Sequence, residues 1–215
     1  MCDDRQIYVA CTIDLLNGRD SVRHLFPQHD ELTPAPPIDK TDCIYCFVLG
    51  APADYKVPGK HYITLFLDPA GSQRTLQADC FQIRCDRQCN VEELAIWGHQ
   101  IINTLCRVYR DMPKLICAQP MDLFCMLCDT KSGTVTARTY QFETFDEEAE
   151  RVLAKQKFHS AYVVISTKRE NFSLSRFGQI SHAFDRSLYS YEGNLEYALD
   201  YDQHPSTRLL VLSDD

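Results

Sequence analysis

Residues 91–110 read VEELAIWGHQIINTLCRVYR, and the fold turns on whether they make one helix or a strand followed by a hairpin. Leu94, Trp97, Ile101, Leu105 and Val108 recur at helical spacing. Asn90 with Glu93 has the form of a capping box, in which each side chain satisfies the other residue's backbone amide. Against a helix, Gly98 in mid-run costs about 1 kcal/mol relative to alanine, and the segments around it are rich in strand formers. Periodicity alone slightly favours the helix.

Upstream, CIYCFVLG (43–50), HYITLFLDPAG (61–71) and TLQADCFQIRC (75–85) are apolar, β-rich runs separated by turn signals. Ile63, Leu65 and Leu67 alternate with Tyr62, Thr64 and Phe66, the period of a strand with one set facing a core and the other a surface. Asp68-Pro69-Ala70-Gly71 supplies turn chemistry, with proline presetting φ and glycine tolerating a left-handed residue. Downstream, PKLICAQPMDL (113–123) reads as a closing strand. Residues 1–40 form an N-terminal segment ending in a proline-rich linker, and residues 126–215 read as an α/β extension. In that extension Asp129–Gly133 is a turn, Thr134–Phe142 a strand and Thr144 the cap of a helix reaching about Lys157. Ala161–Ser166 and Arg208–Leu212 are further strands.

The chain has 215 residues, a formal net charge of −8 and no apolar run long enough to span a bilayer, so no membrane partner is expected. The start, MCDDRQ, is not a signal peptide. Eleven cysteines then imply reduced thiols. Cys43-x-x-Cys46 and Cys125-x-x-Cys128 have the pair spacing of a zinc site, but in a strand residues three apart face opposite ways. Buried free thiols are the expectation, with no metal and no cofactor. No phosphate-cradling glycine loop, Gly-x-Ser-x-Gly or His-Glu-x-x-His is present, so the reading is non-enzymatic.

Residues 51–114 carry eight Lys and Arg against seven Asp and Glu, near neutrality in an acidic chain. There aromatic and basic residues interleave, as stacking on bases and pairing with phosphates requires. The candidate single-stranded-DNA contacts are Tyr55, Lys56, Lys60 and Tyr62 in one loop, and Arg107, Tyr109, Arg110 and Lys114 in another. The outward faces of the second and third strands add Phe66, Arg74, Phe81 and Arg84.

At these residues the chain resembles the Stn and replication protein A middle-subunit family of OB-fold proteins. Ile7–Leu16 has the place of that family's N-terminal segment, FLDPAGSQRTLQADCF that of its turn between strands two and three, and IWGHQI with VYRDMPKLICAQPMD that of its later strands and basic hairpin. The resemblance selects the strand reading of residues 94–110. It implies a mainly β protein: a single five-stranded Greek-key OB barrel over residues 41–125. It further implies a non-enzymatic subunit of a telomere-capping (CST/RPA-like, terminin) complex that binds single-stranded DNA at chromosome ends in the nucleus. A Ten-like (Modigliani-like) small OB subunit and a larger Tea-like scaffold would be its partners. The alternative is an interaction scaffold that binds no nucleic acid.

Overall fold

The computed structural model describes residues 7–11, 45–56, 63–110, 120–188 and 193–214. The chain divides into two compact units, Met1–Cys106 and Arg107–Asp215.

In the first unit, β1 (Ile7–Cys11), β2 (Tyr45–Leu49), β3 (Ile63–Asp68) and β4 (Cys80–Cys85) lie side by side in chain order. All three pairings are parallel, with Tyr45 opposite Ile63 and Leu65 opposite Phe81. Every residue of β2 and β3 is buried. Such continuous apolar runs are the mark of strands covered on both faces, as parallel strands are.

The helix α1 fills Val91–Arg110. Its start is the capping box visible in the sequence: Asn90 Oδ1 accepts from the Glu92 and Glu93 amides at 3.0 Å, and the Asn90 amide donates to Glu93 Oε2 at 2.8 Å. Gly98 is a contact, not a break. A Cβ there would stand 2.5 Å from Leu49 Cδ1 and 3.0 Å from Cδ2. The missing side chain lets the helix approach β2, on the face carrying Tyr45, Phe47 and Leu49.

These elements overturn the OB barrel. A Greek-key barrel is built from antiparallel neighbours, whereas β2, β3 and β4 pair parallel. The proposed fourth strand, LAIWGHQII, is helical. Of the proposed fifth, residues 111–119 lie outside the described residues and Pro120–Asp129 is a second helix, α2.

In the second unit, β5 (Thr134–Phe142), β6 (Ala161–Thr167), β7 (Leu195–Tyr201) and β8 (Thr207–Ser213) are ordered β5-β8-β6-β7. β8 is antiparallel to β5 and β6, and β6 is parallel to β7. The helices α3 (Glu147–Ala154) and α4 (Leu174–Asp185) contribute Ala149, Leu153, Ile180, Ala183 and Phe184 to one core with Val163, Ile165, Leu199, Leu209 and Val211. Asp146, rather than Thr144, caps α3, accepting from the Glu148 and Ala149 amides at 3.1 Å. Among the described residues no helix is long and apolar enough to cross a membrane.

Within this unit Glu196 on β7 titrates abnormally. Burial, and then the charge of Asp122 on α2, pushes its carboxyl above the usual range. A raised native value means the folded chain holds the proton longer than the unfolded one, so the contribution of Glu196 to stability is greatest at acid pH and falls as pH rises through the native value. Glu196→Gln is therefore expected to raise the urea midpoint at pH 7.5 and to leave it unchanged near pH 3.5. Equal gains at both pH values would contradict this.

Candidate functional site

The carboxyl ends of β2 and β3 and the start of α1 form a rim, the usual ligand position on a parallel sheet. After β2 the chain turns at Gly50, whose φ of +61° is left-handed and whose amide donates to Leu67 O at 2.9 Å. β3 ends in Asp68, only 2% exposed. Arg74 clasps that carboxylate with two bonds, Nε to Oδ2 at 2.5 Å and Nη2 to Oδ1 at 2.7 Å. Nη1 donates to the Pro52 carbonyl at 2.6 Å, and Nη2 also donates to the Ala51 carbonyl. Gln82 Nε2 donates to Asp68 Oδ2 at 2.8 Å, and the guanidinium carbon sits 4.3 Å from the centre of the Phe66 ring. A buried carboxylate requires such pairing, and here it ties the loops after β2 and β3 together.

Between these loops and Asn90 lies a cavity of about 380 Å³, lined by Gly50, Ala53, Asp68, Ser72, Cys89 and Asn90 among others. A larger hollow of about 1010 Å³ lies on the β3–β4 face, against Tyr55, Lys56, Thr64, Phe66, Arg74 and Cys80. Ala53, Gln73 and Arg74 line both. Burial, then Cys46, raises the Tyr55 hydroxyl above its ordinary value. Because Asn90 and Glu93 already occupy the first amides of α1, and Glu92 and Glu93 are acidic, this helix end is a poor holder of a polyphosphate.

Four of the residues singled out from the sequence, Tyr55, Lys56, Phe66 and Arg74, therefore meet around one hollow. Phe66 is 5% exposed and Arg74 is engaged by Asp68, so neither is presented as a stacking face or a free cation. Phe81 is buried with Leu65 on the opposite face, while Arg84 lies in register with Asp68. Arg107 belongs to the second unit, where its Nη2 pairs with the fully buried Asp200 at 3.0 Å. Tyr109 and Arg110 end α1, and Lys60, Tyr62 and Lys114 lie outside the described residues. The loops expected to form a single DNA-binding groove are thus not assembled into one. Gly50, Asp68, Gln82 and Cys89 were not anticipated; the one visible signal was an acid closing the apolar run ITLFLD. Cys125 and Cys128 are exposed on α2, three apart on a helix, rather than buried in a strand. Among the described residues no group of three or more His, Cys, Asp or Glu could hold a metal ion.

No protein-family model matches the sequence, and no curated protein sequence matches it. Solved structures do. CetZ from Methanosaeta thermophila strain DSM 6194 superposes with a TM-score of 0.53 at 11% identity over 80% of this chain. The empty FtsZ dimer of M. jannaschii does so with a TM-score of 0.53 at 9% identity, also over 80%. The fold is that of CetZ and FtsZ. A third structure with this CetZ/FtsZ fold, CetZ2 from Haloferax volcanii in a GTPγS-bound protofilament, gives a TM-score of 0.51 at 12% identity over 82% of this chain. The chain spans 61%, 63% and 67% of these three proteins' lengths respectively.

The CetZ/FtsZ fold replaces the OB-fold resemblance and removes what depended on it. The Stn and replication protein A kinship, telomere capping, single-stranded-DNA binding, the Ten-like and Tea-like partners and the interaction-scaffold alternative all rested on an OB surface that the chain does not have. The non-enzymatic reading falls with them, since it was drawn from the same family and from the absence of motifs belonging to other folds.

Proposed function

We propose that the chain binds and hydrolyses a guanine nucleotide and assembles end to end with copies of itself into protofilaments. The observation that carries this reading is the cavity at the carboxyl ends of β2 and β3 beside the start of α1, in a chain with the CetZ/FtsZ fold. The nucleotide's choice rests on CetZ2, whose solved protofilament holds GTPγS. The nucleoside end sits in the rim cavity. The phosphates run past Ala53, which borders both hollows, towards the exposed Lys56 and away from the capped helix end. Phosphates need cations along their path, and Lys56 is the described lysine on that path.

Titration with a fluorescent GTPγS, followed by phosphate release from GTP and sedimentation of polymer, tests the reading. The wild-type chain is expected to bind saturably. Ala53→Trp, at an exposed position bordering both hollows, is expected to abolish binding. Lys56→Glu is expected to weaken it about tenfold, or about 1.4 kcal/mol, with no change in thermal stability. Binding that is equal in all three proteins, or absent from the wild type, would refute the proposal.

A further inference from the structure

The helix α2 carries three sulfur-bearing side chains on its solvent face. Leu123, Met126 and Leu127 are fully buried and fix the side that packs inward. At about 3.6 residues per turn, Met121, Cys125 and Cys128 fall in one stripe on the opposite side. All three are exposed, Met121 to 48%. Folding usually buries cysteine and methionine, and it does bury Cys46, Cys85 and Cys106. Residues three or four apart on a helix hold their Cβ atoms about 5–6 Å apart, with the Cα–Cβ bonds tilted towards the N-terminus. That tilt leans the Cys128 sulfur towards Cys125 and the Cys125 sulfur towards Met121, whose three rotatable bonds let its thioether fold over the pair. The helix also holds Asp122 and Asp129 and no basic residue, a surround that favours a cation.

We propose that Cys125, Cys128 and Met121 form a binding site for a soft monovalent cation, copper(I), held by the two thiolates and completed by the thioether. Thiolate and thioether donors select such an ion over hard cations. Zinc takes four ligands, and among the described residues no three His, Cys, Asp or Glu are placed to hold a metal ion together. Asp122 and Asp129 therefore act through their charge and do not close a tetrahedron around the sulfurs. A metal–sulfur bond of about 2.3 Å, the zinc–thiolate length, lets one ion join sulfurs up to about 4.6 Å apart, a span that helical spacing supplies. Each thiol gives up its proton to solvent as its copper–sulfur bond forms, so one ion displaces two protons and no electron is transferred. The site stands whether or not the rim holds a nucleotide.

The reduced, folded chain is titrated without oxygen against the copper(I) complex of bathocuproine disulfonate, whose colour fades as copper leaves it. Wild type is compared with Cys125→Ser, Cys128→Ser and Met121→Leu, which alter exposed positions and are expected to melt as the wild type does. The cysteines elsewhere in the chain are a background common to all four proteins. The wild type is expected to take up one further equivalent of copper(I) than either serine variant. Met121→Leu is expected to keep that equivalent with an affinity about tenfold weaker. Equal uptake by the wild type and either serine variant would overturn the proposal, as would an undiminished affinity in Met121→Leu or zinc(II) displacing the copper at equal concentration.

Discussion

Arg74→Ala is expected to destabilise the chain by about 3–5 kcal/mol, the usual loss when one partner of a buried ion pair is removed. Asp68 is 2% exposed and the Arg74 side chain 4%. The substitution strands a carboxylate inside the protein with only Gln82 as a donor among the contacts described above. It also frees the Ala51 and Pro52 carbonyls and the Phe66 ring. Small domains hold about 5–15 kcal/mol in total, so urea unfolding should show a large drop in midpoint. The double replacement Asp68→Leu with Arg74→Leu should recover much of it, because apolar residues of similar size can replace a buried pair at little penalty. A change within about 0.5 kcal/mol for Arg74→Ala, as for an ordinary surface residue, would show that the arginine is solvent-facing and available to a ligand.

Gly193→Ala is expected to cost more than the roughly 1–3 kcal/mol of a typical overpacking substitution. A Cβ at Gly193 would stand 1.8 Å from the His159 carbonyl oxygen and 2.9 Å from its carbon. Those are backbone atoms, which no rotamer change can move. They lie just before β6, where the Ala161 amide donates to the Asn194 carbonyl at 2.8 Å and the Asn194 amide to the Ser160 hydroxyl at 3.2 Å. An alanine must separate the starts of β6 and β7. Gly178→Ala is the control, because nothing lies within 4 Å of its added Cβ; on α4 it should be neutral or stabilising. Equal behaviour of the two variants in thermal unfolding would contradict the packing described at Gly193.

The same physics explains what the sequence showed and what it withheld. The cap at Asn90 and Glu93 and the spacing from Leu94 to Val108 were both legible, because they depend on residues within one helix. Gly98 misled because its role is set by Leu49, a residue distant in the chain; local propensity charges the glycine to the helix and cannot see the partner. The strands β3 and β4 were visible as apolar runs, but their direction was not. Alternation of Ile63, Leu65 and Leu67 with Thr64 and Phe66 suggested one open face, while both sets are buried. Read as a continuous apolar run, ITLFL points to a parallel sheet. The site was harder still. Arg74 looked like a phosphate-binding cation because a sequence gives its charge but not its partner, and Asp68 looked like a turn residue because its burial depends on Gln82 and the loop after β2.

Photo-crosslinking with an azido-guanosine triphosphate, mapped by mass spectrometry of tryptic peptides, tests the nucleotide-binding rim most directly. Cleavage at Lys40, Lys56, Lys60, Arg74, Arg87 and Arg107 separates the rim into residues 41–56, 61–74 and 88–107. Labelling is expected on one or more of these three peptides, competed by unlabelled GTP and lost in Ala53→Trp. Label that GTP does not compete, or competed label confined to peptides of residues 139–215, would contradict a nucleotide seat at the ends of β2 and β3.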